Sequence, residues 1–517
     1  MSPRIAHLID LLDHAVDIDA ERVAVTVDGE DMTYTELAAA STTIARGLRA
    51  LGVERGDRVA VWLPNSPQWI AILLGCARLE AVAVPINTWY RSRELGHVLA
   101  RSGARVLFTQ ERFLRQDYGQ MLSEVAEAST NPLGRLDHIV CLSGHIDRAM
   151  PFGELTALSG PLPADQPDPD AAFLMSFTSG TTSSPKGALL TQRGITTNAV
   201  AFAERLEVGP GAAVYCAVPF FHVAGLAFAT LCAMSVGGTL VANGRFTGSA
   251  AWKAIAEHGC AHTGGFEAIY HALLDAQPPV PVRTLRSAWW GGGPPALFTR
   301  VEQALGARLM NLYGLTEASG NVTSTPLSWT AEQRAGSEGV GLNGASVRIV
   351  DNNHRSVPTG VTGEICVSSA TIMLGYHDDP DATRQALLPV GHLMTGDLGH
   401  LDPDGNLHFS GRRKDMIKVG GENVSPQEIE AALGEFPEII EVAVIGIPDT
   451  KYGEVPVAFA RTIDGVTADE VLDRLRGTIA SFKMPRRLTI VDEFPRSSTG
   501  KIQKTRLRSS PPDGLAR

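Results

Sequence analysis

The stretch RVAVWLPNSPQWIAILLGCARLEAVAVP, Arg58 to Pro85, decides the fold. The apolar run Arg58–Leu63 predicts a strand. Ser66 followed by Pro67 predicts a helix start, because serine offers a capping oxygen and proline suits the first turn. The second run, Ala81–Pro85, predicts another strand. Two short strands with no polar face, joined by a helix, form the repeating unit of a parallel sheet covered on both sides. The rhythm continues outward. Arg22–Val27 reads as a strand, Asp28–Gly29 as a turn, and Glu36–Leu51 as a helix closed by Gly52 in a left-handed cap. Ser92 opens a helix that ends at Gly103, and Arg105–Thr109 is a further strand. The expected fold class is α/β, with doubly wound sheets.

The chain has 517 residues, 44% of them hydrophobic and 20% charged, with a net charge of −11. That length allows about three domain-sized units. The composition excludes disorder for the bulk of the chain. The negative balance argues against duplex nucleic acid as a partner, since phosphate binding needs clustered basic charge. The six cysteines contain no C-x-x-C pair, so neither a disulfide framework nor a zinc finger is expected, and a cytoplasmic location suits them. Asp10 and Asp13 interrupt any signal-peptide core. Val208–Gly244 carries no Asp, Glu, Lys or Arg. Pro219, His222, Asn243 and several glycines break it into strand, loop, helix and strand, so a buried core is expected there and not a membrane span.

Pro161–Asp170 is linker-like and lies inside a large unit, residues 1–411. Residues 412–508 form a compact α+β unit: a helix at Pro426–Leu433, strands at Val442–Ile447 and Val455–Ala460, a helix at Ala468–Ile479 and a strand at Leu488–Val491. Residues 509–517 are a tail.

Five segments suggest chemistry. After the apolar run Ala171–Met175 comes Phe177-Thr178-Ser179-Gly180-Thr181-Thr182-Ser183-Ser184-Pro185-Lys186-Gly187. Hydroxyls, backbone N–H groups and a lysine in one loop suit a polyphosphate. A solvated polar loop is the plain alternative. The Walker pattern is absent, because Pro185 and Gly187 stand where it needs Gly and Ser or Thr. Asn311-Leu312-Tyr313-Gly314-Leu315-Thr316-Glu317 places an aromatic ring, a close-approach glycine, a hydroxyl and a carboxylate together. Such a group can stack a base and hold Mg²⁺. Thr395-Gly396-Asp397, Gly411-Arg412-Arg413-Lys414-Asp415 with Lys418–Asn423, and Pro495–Lys504 read singly as charged turns.

In this order, together with Pro219–Gly225 (PFFHVAG) and Gly291–Pro295 (GGGPP), these segments resemble the adenylate-forming superfamily from about Thr33-Tyr34 to Lys504. The superfamily includes the acyl-CoA synthetases, the beetle luciferases and the nonribosomal-peptide adenylation domains. The resemblance implies an ATP- and Mg²⁺-dependent ligase that makes an acyl-adenylate and passes the acyl group to a thiol. It implies that Thr178, Ser179, Gly180, Thr181, Thr182 and Lys186 grip pyrophosphate. Glu317 would hold Mg²⁺, and Thr316 would touch the α-phosphate. Tyr313, Gly292 and Gly293 would flank adenine, Asn311 and Gly314 would belong to the same cofactor-binding group, and Asp397 would take the ribose with Arg412 beside it. Lys501 would bridge carboxylate and α-phosphate. Lys414 stands at the hinge, Gly420 and Gly421 in the loop that shapes the thiol tunnel, and Tyr452 and Lys483 where coenzyme A is met. His222, Val223, Phe266, Glu267, Trp289, Trp290, Gly291 and Ala318 would line the acyl pocket.

The chain departs from the family pattern at Ser183, where glycine is usual, at Gly264–Ala268, and at Trp289-Trp290. His222 replaces the acidic residue that pairs with the ammonium in amino-acid-activating relatives. The reading is an acyl-CoA synthetase for a non-amino carboxylic acid, bulky and cyclic or aromatic. A stand-alone ligase loading a carrier protein, or an enzyme of one half-reaction, is the alternative. A homodimer stays open.

Overall fold

The computed structural model describes residues 5–128, 133–165, 167–178, 185–276, 278, 282–342, 344–419, 422–497 and 500–509. The large domain holds two main sheets. One has nine strands, whose parallel heart is 23–27, 239–242, 213–216, 262–265, 287–290 and 308–315. The other has eight strands, with 82–85, 58–61, 106–109 and 138–141 parallel at its centre. Antiparallel strands close the sheets: 30–33, 320–324 and 340–341 on the first, 186–191 and 375–376 on the second. The main core joins both sheets through Val59 and Val214, with Ile44 and Leu74 from the helices Tyr34–Ala50 and Pro67–Leu79.

Local sequence explains the elements that begin this frame. Ser66 accepts a hydrogen bond from the Trp69 N–H at 3.2 Å, with Pro67 in the first turn. Gly103 ends its helix at φ +58°. The helix opening near Ser92 is preceded by Arg91, whose N–H is held by Glu94. The uncharged stretch resolves as the strand Ala213–Cys216, a helical passage from Val223 to Ser235 and the strand Thr239–Ala242. Residues Leu226–Leu231 of that passage are a π-helix. No helix among the described residues is long and apolar enough to cross a membrane. The six cysteines are buried and free.

A four-stranded antiparallel sheet, 346–350, 363–368, 393–401 and 407–412, was not foreseen. The chain then runs through Arg413–Asp415 into a separate five-stranded sheet that begins at Ile417. This is the small domain, with helices Pro426–Gly434 and Ala468–Leu475. The second helix stops four residues short of the expected Ile479, because Arg476 turns to extended backbone and Gly477 sits at φ +86°. The small domain rests on the large one closely. A Cβ on Gly434 would stand 3.2 Å from Pro294, and one on Gly500 would stand 2.6 Å from Ala268.

Candidate active site

Asp397 and Arg412 face each other across paired strands. Asp397 is 7% exposed. It accepts a hydrogen bond from the Tyr313 hydroxyl at 2.8 Å, and the Arg412 Nε lies 3.6 Å from its other oxygen. Burial raises the Asp397 carboxyl above the usual range, against the pull of Arg412 and the Tyr313 bond. Burial, reinforced by Asp397, drives the Tyr313 hydroxyl far up, so it stays a donor. Tyr313 also stacks on Phe409, ring centroids 5.9 Å apart. Asn311 leaves its side-chain Oδ1 buried without a partner, while its amide donates to the Ser337 carbonyl at 2.8 Å. An orphan acceptor beside a stacked ring fits an adenine amino group. Gly292 and Gly293 lie at φ +95° and +144°, and a Cβ on Gly293 would meet the Trp290 ring at 2.5 Å. Gly314 is required in the same way, since a Cβ there would stand 2.2 Å from the Gly320 carbonyl oxygen.

Thr178 and Lys186 pair across the base of the hairpin. Ser179, Gly180, Thr181, Thr182 and Ser183 lie outside the described residues, as do Gly420 and Gly421. Tyr376 connects what the sequence treated as separate. The Lys186 ammonium lies 5.3 Å from its ring centroid, and its hydroxyl donates to Glu317 Oε1 at 2.8 Å. His97 meets the Pro185 carbonyl oxygen through Nε2 at 3.1 Å. Neither residue belonged to a legible motif. Glu317 and Thr316 share a short 3₁₀ turn closed by Ser319 at φ +59°. The half-buried Glu317 is a carboxylate suited to Mg²⁺, which takes one or two carboxylates beside substrate phosphates.

Lys501 comes from the small domain and reaches Phe266 of the large one. Its ammonium sits 4.6 Å from the Phe266 ring centroid. The side chain remains open to solvent. The surrounding protein still desolvates it, and with Arg412 this lowers its pKa to about 8, Asp397 opposing. Phe266 also meets His222 edge-on at 5.7 Å and Trp289 at 5.5 Å. Phe228, presented by the π-helix, reaches Trp289 at 5.3 Å. His222 Nδ1 accepts the Ala224 N–H at 3.1 Å, which leaves the ring proton on Nε2. Burial, then Lys501, pulls the His222 pKa down to about 3, so the ring is neutral. Val223 and Ala318 are buried in this region, and a Cβ on Gly291 would press on Phe266 at 2.6 Å.

Two expected pocket residues face elsewhere. Successive strand residues point to opposite faces, so Trp290 stands opposite Trp289. It stacks on Tyr270 at 5.0 Å and meets Phe298 at 5.6 Å, under the helices. Glu267 starts the helix Glu267–Ala276 and sends its carboxylate to His271 at 3.6 Å, away from the aromatic group. Lys414 lies exposed in the passage between the two domains' sheets. Tyr452 carries Lys451 and Arg486 over its ring at 5.0 and 5.2 Å, and Lys483 pairs with Glu428. The partners of both lie on the small domain.

A cation from one domain set on an aromatic ring of the other, with a buried carboxylate bonded to a stacked tyrosine in the same large domain, fits a two-domain nucleotide-handling enzyme. The AMP-binding enzyme family matches residues 12–377, and the AMP-binding enzyme C-terminal domain matches residues 428–501. The chain belongs to this family, the adenylate-forming acyl-CoA synthetases. The sulfoacetate–CoA ligase of Cupriavidus necator is 33% identical to it, over 93% of this chain and 92% of the relative. The indoleacetate–CoA ligase of Aromatoleum aromaticum is 34% identical over 97% of each. The crystal structure of an anthranilate CoA ligase with anthranoyl-AMP is 25% identical, with TM-score 0.89 over 98% of both chains.

Proposed function

We propose that this enzyme activates a flat, ringed carboxylic acid as its acyl-adenylate and transfers the acyl group to coenzyme A. The observation that carries the reading is the place of Lys501. It stands with Asp397 and Arg412 as charge neighbours and against the Phe266 ring. A cation there meets a carboxylate held by the aromatic residues and a phosphate held beside Tyr313. A carboxylate is a poor electrophile, because its leaving group would be oxide. Attack of its oxygen on the α-phosphorus expels pyrophosphate, and AMP becomes the later leaving group. Lys501 stabilises the charge that builds on the phosphate as this happens. The thiol sulfur then attacks the carbonyl carbon and AMP departs.

His222, Phe228, Phe266 and Trp289 support the acid class. Aromatic walls suit a rigid ring, since ordering a flexible chain costs rotamer entropy. A neutral His222 gives no partner for an α-ammonium, in line with a non-amino acid. Thr316, Glu317 and the Thr178–Lys186 hairpin would hold the phosphates, with Mg²⁺ at Glu317 supplying charge neutralisation. The domain boundary, expected at 411/412, falls at the end of the strand Leu407–Arg412, with Lys414 as hinge, and Tyr452 and Lys483 mark a coenzyme A route. A cytoplasmic protein, as monomer or homodimer, fits this reading.

The test is a panel of benzoate-type, polycyclic and straight-chain acids, with pyrophosphate and thioester measured separately. Ringed acids should show the highest kcat/KM in both. A clear preference for acetate or palmitate would overturn the acid class. Adenylate without coenzyme A thioester, rescued by a carrier protein, would overturn the acceptor.

A further inference from the structure

A polar group unused by the adenylation site lies where the two domains touch. The helix Glu267–Ala276 of the large domain places Glu267 and His271 one turn apart on one face. Glu441, on the small domain's strand Ile439–Asp449, completes a trio whose ligand atoms all lie within 4.8 Å of one another. His271 is 4% exposed and Glu441 is 2% exposed. His271 Nε2 and Glu441 Oε1 are both buried without a hydrogen-bond partner. Unmatched polar atoms in a dry interface are costly. Two of them aimed into one gap mark a place that a third species fills.

The surrounding charges leave that gap to a cation. Arg496 and Arg461 both approach Glu441 through Oε2, at 2.5 and 3.8 Å, so Oε1 is free. Lys504 is matched by Glu430 at 2.6 Å. Glu267 has His271 beside it at 3.6 Å and the Glu430 charge nearby, and its side chain is 29% exposed, which provides a route for an ion from solvent. We propose that Glu267, His271 and Glu441 bind one divalent transition-metal ion of the zinc type, bridging the two domains.

Donor chemistry selects the ion. One imidazole with two carboxylates suits zinc, whereas magnesium and calcium favour oxygen donors throughout. Bonds of about 2.0–2.2 Å require the trio to contract modestly, which side-chain rotation supplies. Arg496 would orient Glu441 from outside, as partners of metal-bound carboxylates do. The ligands come from both domains, so the ion binds only their present arrangement. By linkage it stabilises that arrangement, the one that keeps Lys501 beside Asp397.

The experiment is equilibrium dialysis of the untagged full-length protein against zinc at micromolar concentration, with X-ray absorption of the loaded sample. One zinc per chain is expected, in a shell of nitrogen and oxygen only. His271→Leu and Glu441→Gln should each weaken binding by about tenfold or more. The more exposed Glu267→Gln, which leaves the core untouched, should do the same if either buried variant fails to fold. Zinc should raise the thermal midpoint of the wild type and not that of the variants. Absence of saturable binding, sulfur in the shell, or equal affinity in folded variants would overturn the proposal.

Discussion

Gly264→Ala is the most informative substitution, because two neighbouring strands decide its cost. Gly264 pairs with Trp289, and Gly265 with Trp290. A methyl at Gly264 would stand 2.1 Å from Trp289 Cδ1 and 2.2 Å from Nε1. Carbon contacts settle near 3.5–4.0 Å, so the indole must withdraw by about 1.5 Å. It is held by Phe228 and Phe266 and is 3% exposed, so it has nowhere to go without repacking. Overpacking of this kind costs about 1–3 kcal/mol. Trp289→Ala alone removes a buried indole, at about 3–5 kcal/mol. In the double variant the new methyl enters the space that the indole left. The double cost should therefore fall short of the sum by about 1 kcal/mol or more. Urea denaturation of the four proteins measures this, with the acid panel run beside it. Additive costs would refute the reasoning, because they would mean that the ring and the methyl never compete for the same space.

Four further outcomes are expected. Lys501→Ala should lose adenylate formation by at least about a hundredfold and keep most conversion of a preformed acyl-adenylate to thioester, measured by single-turnover kinetics. The charge on Lys501 is needed and is lost as pH rises through about 8. Adenylation kcat/KM, which reports the free enzyme, should fall above that pH, and Lys501→Arg should move the fall upward. Lys414→Pro fixes φ near −65° and removes an N–H, so it should slow the thiol step far more than adenylation in separate assays. Trp290→Ala should cost about 3–5 kcal/mol in denaturation and leave the acid profile unchanged, because Trp290 packs on Tyr270 and Phe298.

The frame was legible where local chemistry and tertiary packing agree. Ser66-Pro67 starts its helix and Gly103 ends one as their side chains and backbone freedom dictate. Tyr313, Asp397, Arg412 and Lys501 were legible as candidates through the order of their segments, which resembles the adenylate-forming superfamily, because the turns bearing the last three say little singly. Their separation of nearly two hundred residues says nothing of contact, which the paired strands and the docked small domain supply. What sequence missed depends on register. Tyr376 lies on a two-residue strand and meets Glu317 only because that strand pairs with Lys186–Thr191. The facing of Trp289 and Trp290 was hidden because both sides of their strand are buried. Phe228 is presented by a π-helix, whose extra residue per turn no apolar pattern announces.

The passage through residues 413–416 is short, and in the small domain that follows it the loop bearing Lys501 comes just before the helix Lys504–Ser509. The lysine is thus a reagent on a leash. A tether of that length keeps its local concentration on the order of millimolar, whatever the abundance of the protein in the cell. With the proposed hinge at Lys414, such a tether would give the enzyme a cation that can be withdrawn without being lost to solution. The leash also sets a ceiling on independence: any change that lengthens it dilutes the lysine at a site whose own residues are untouched.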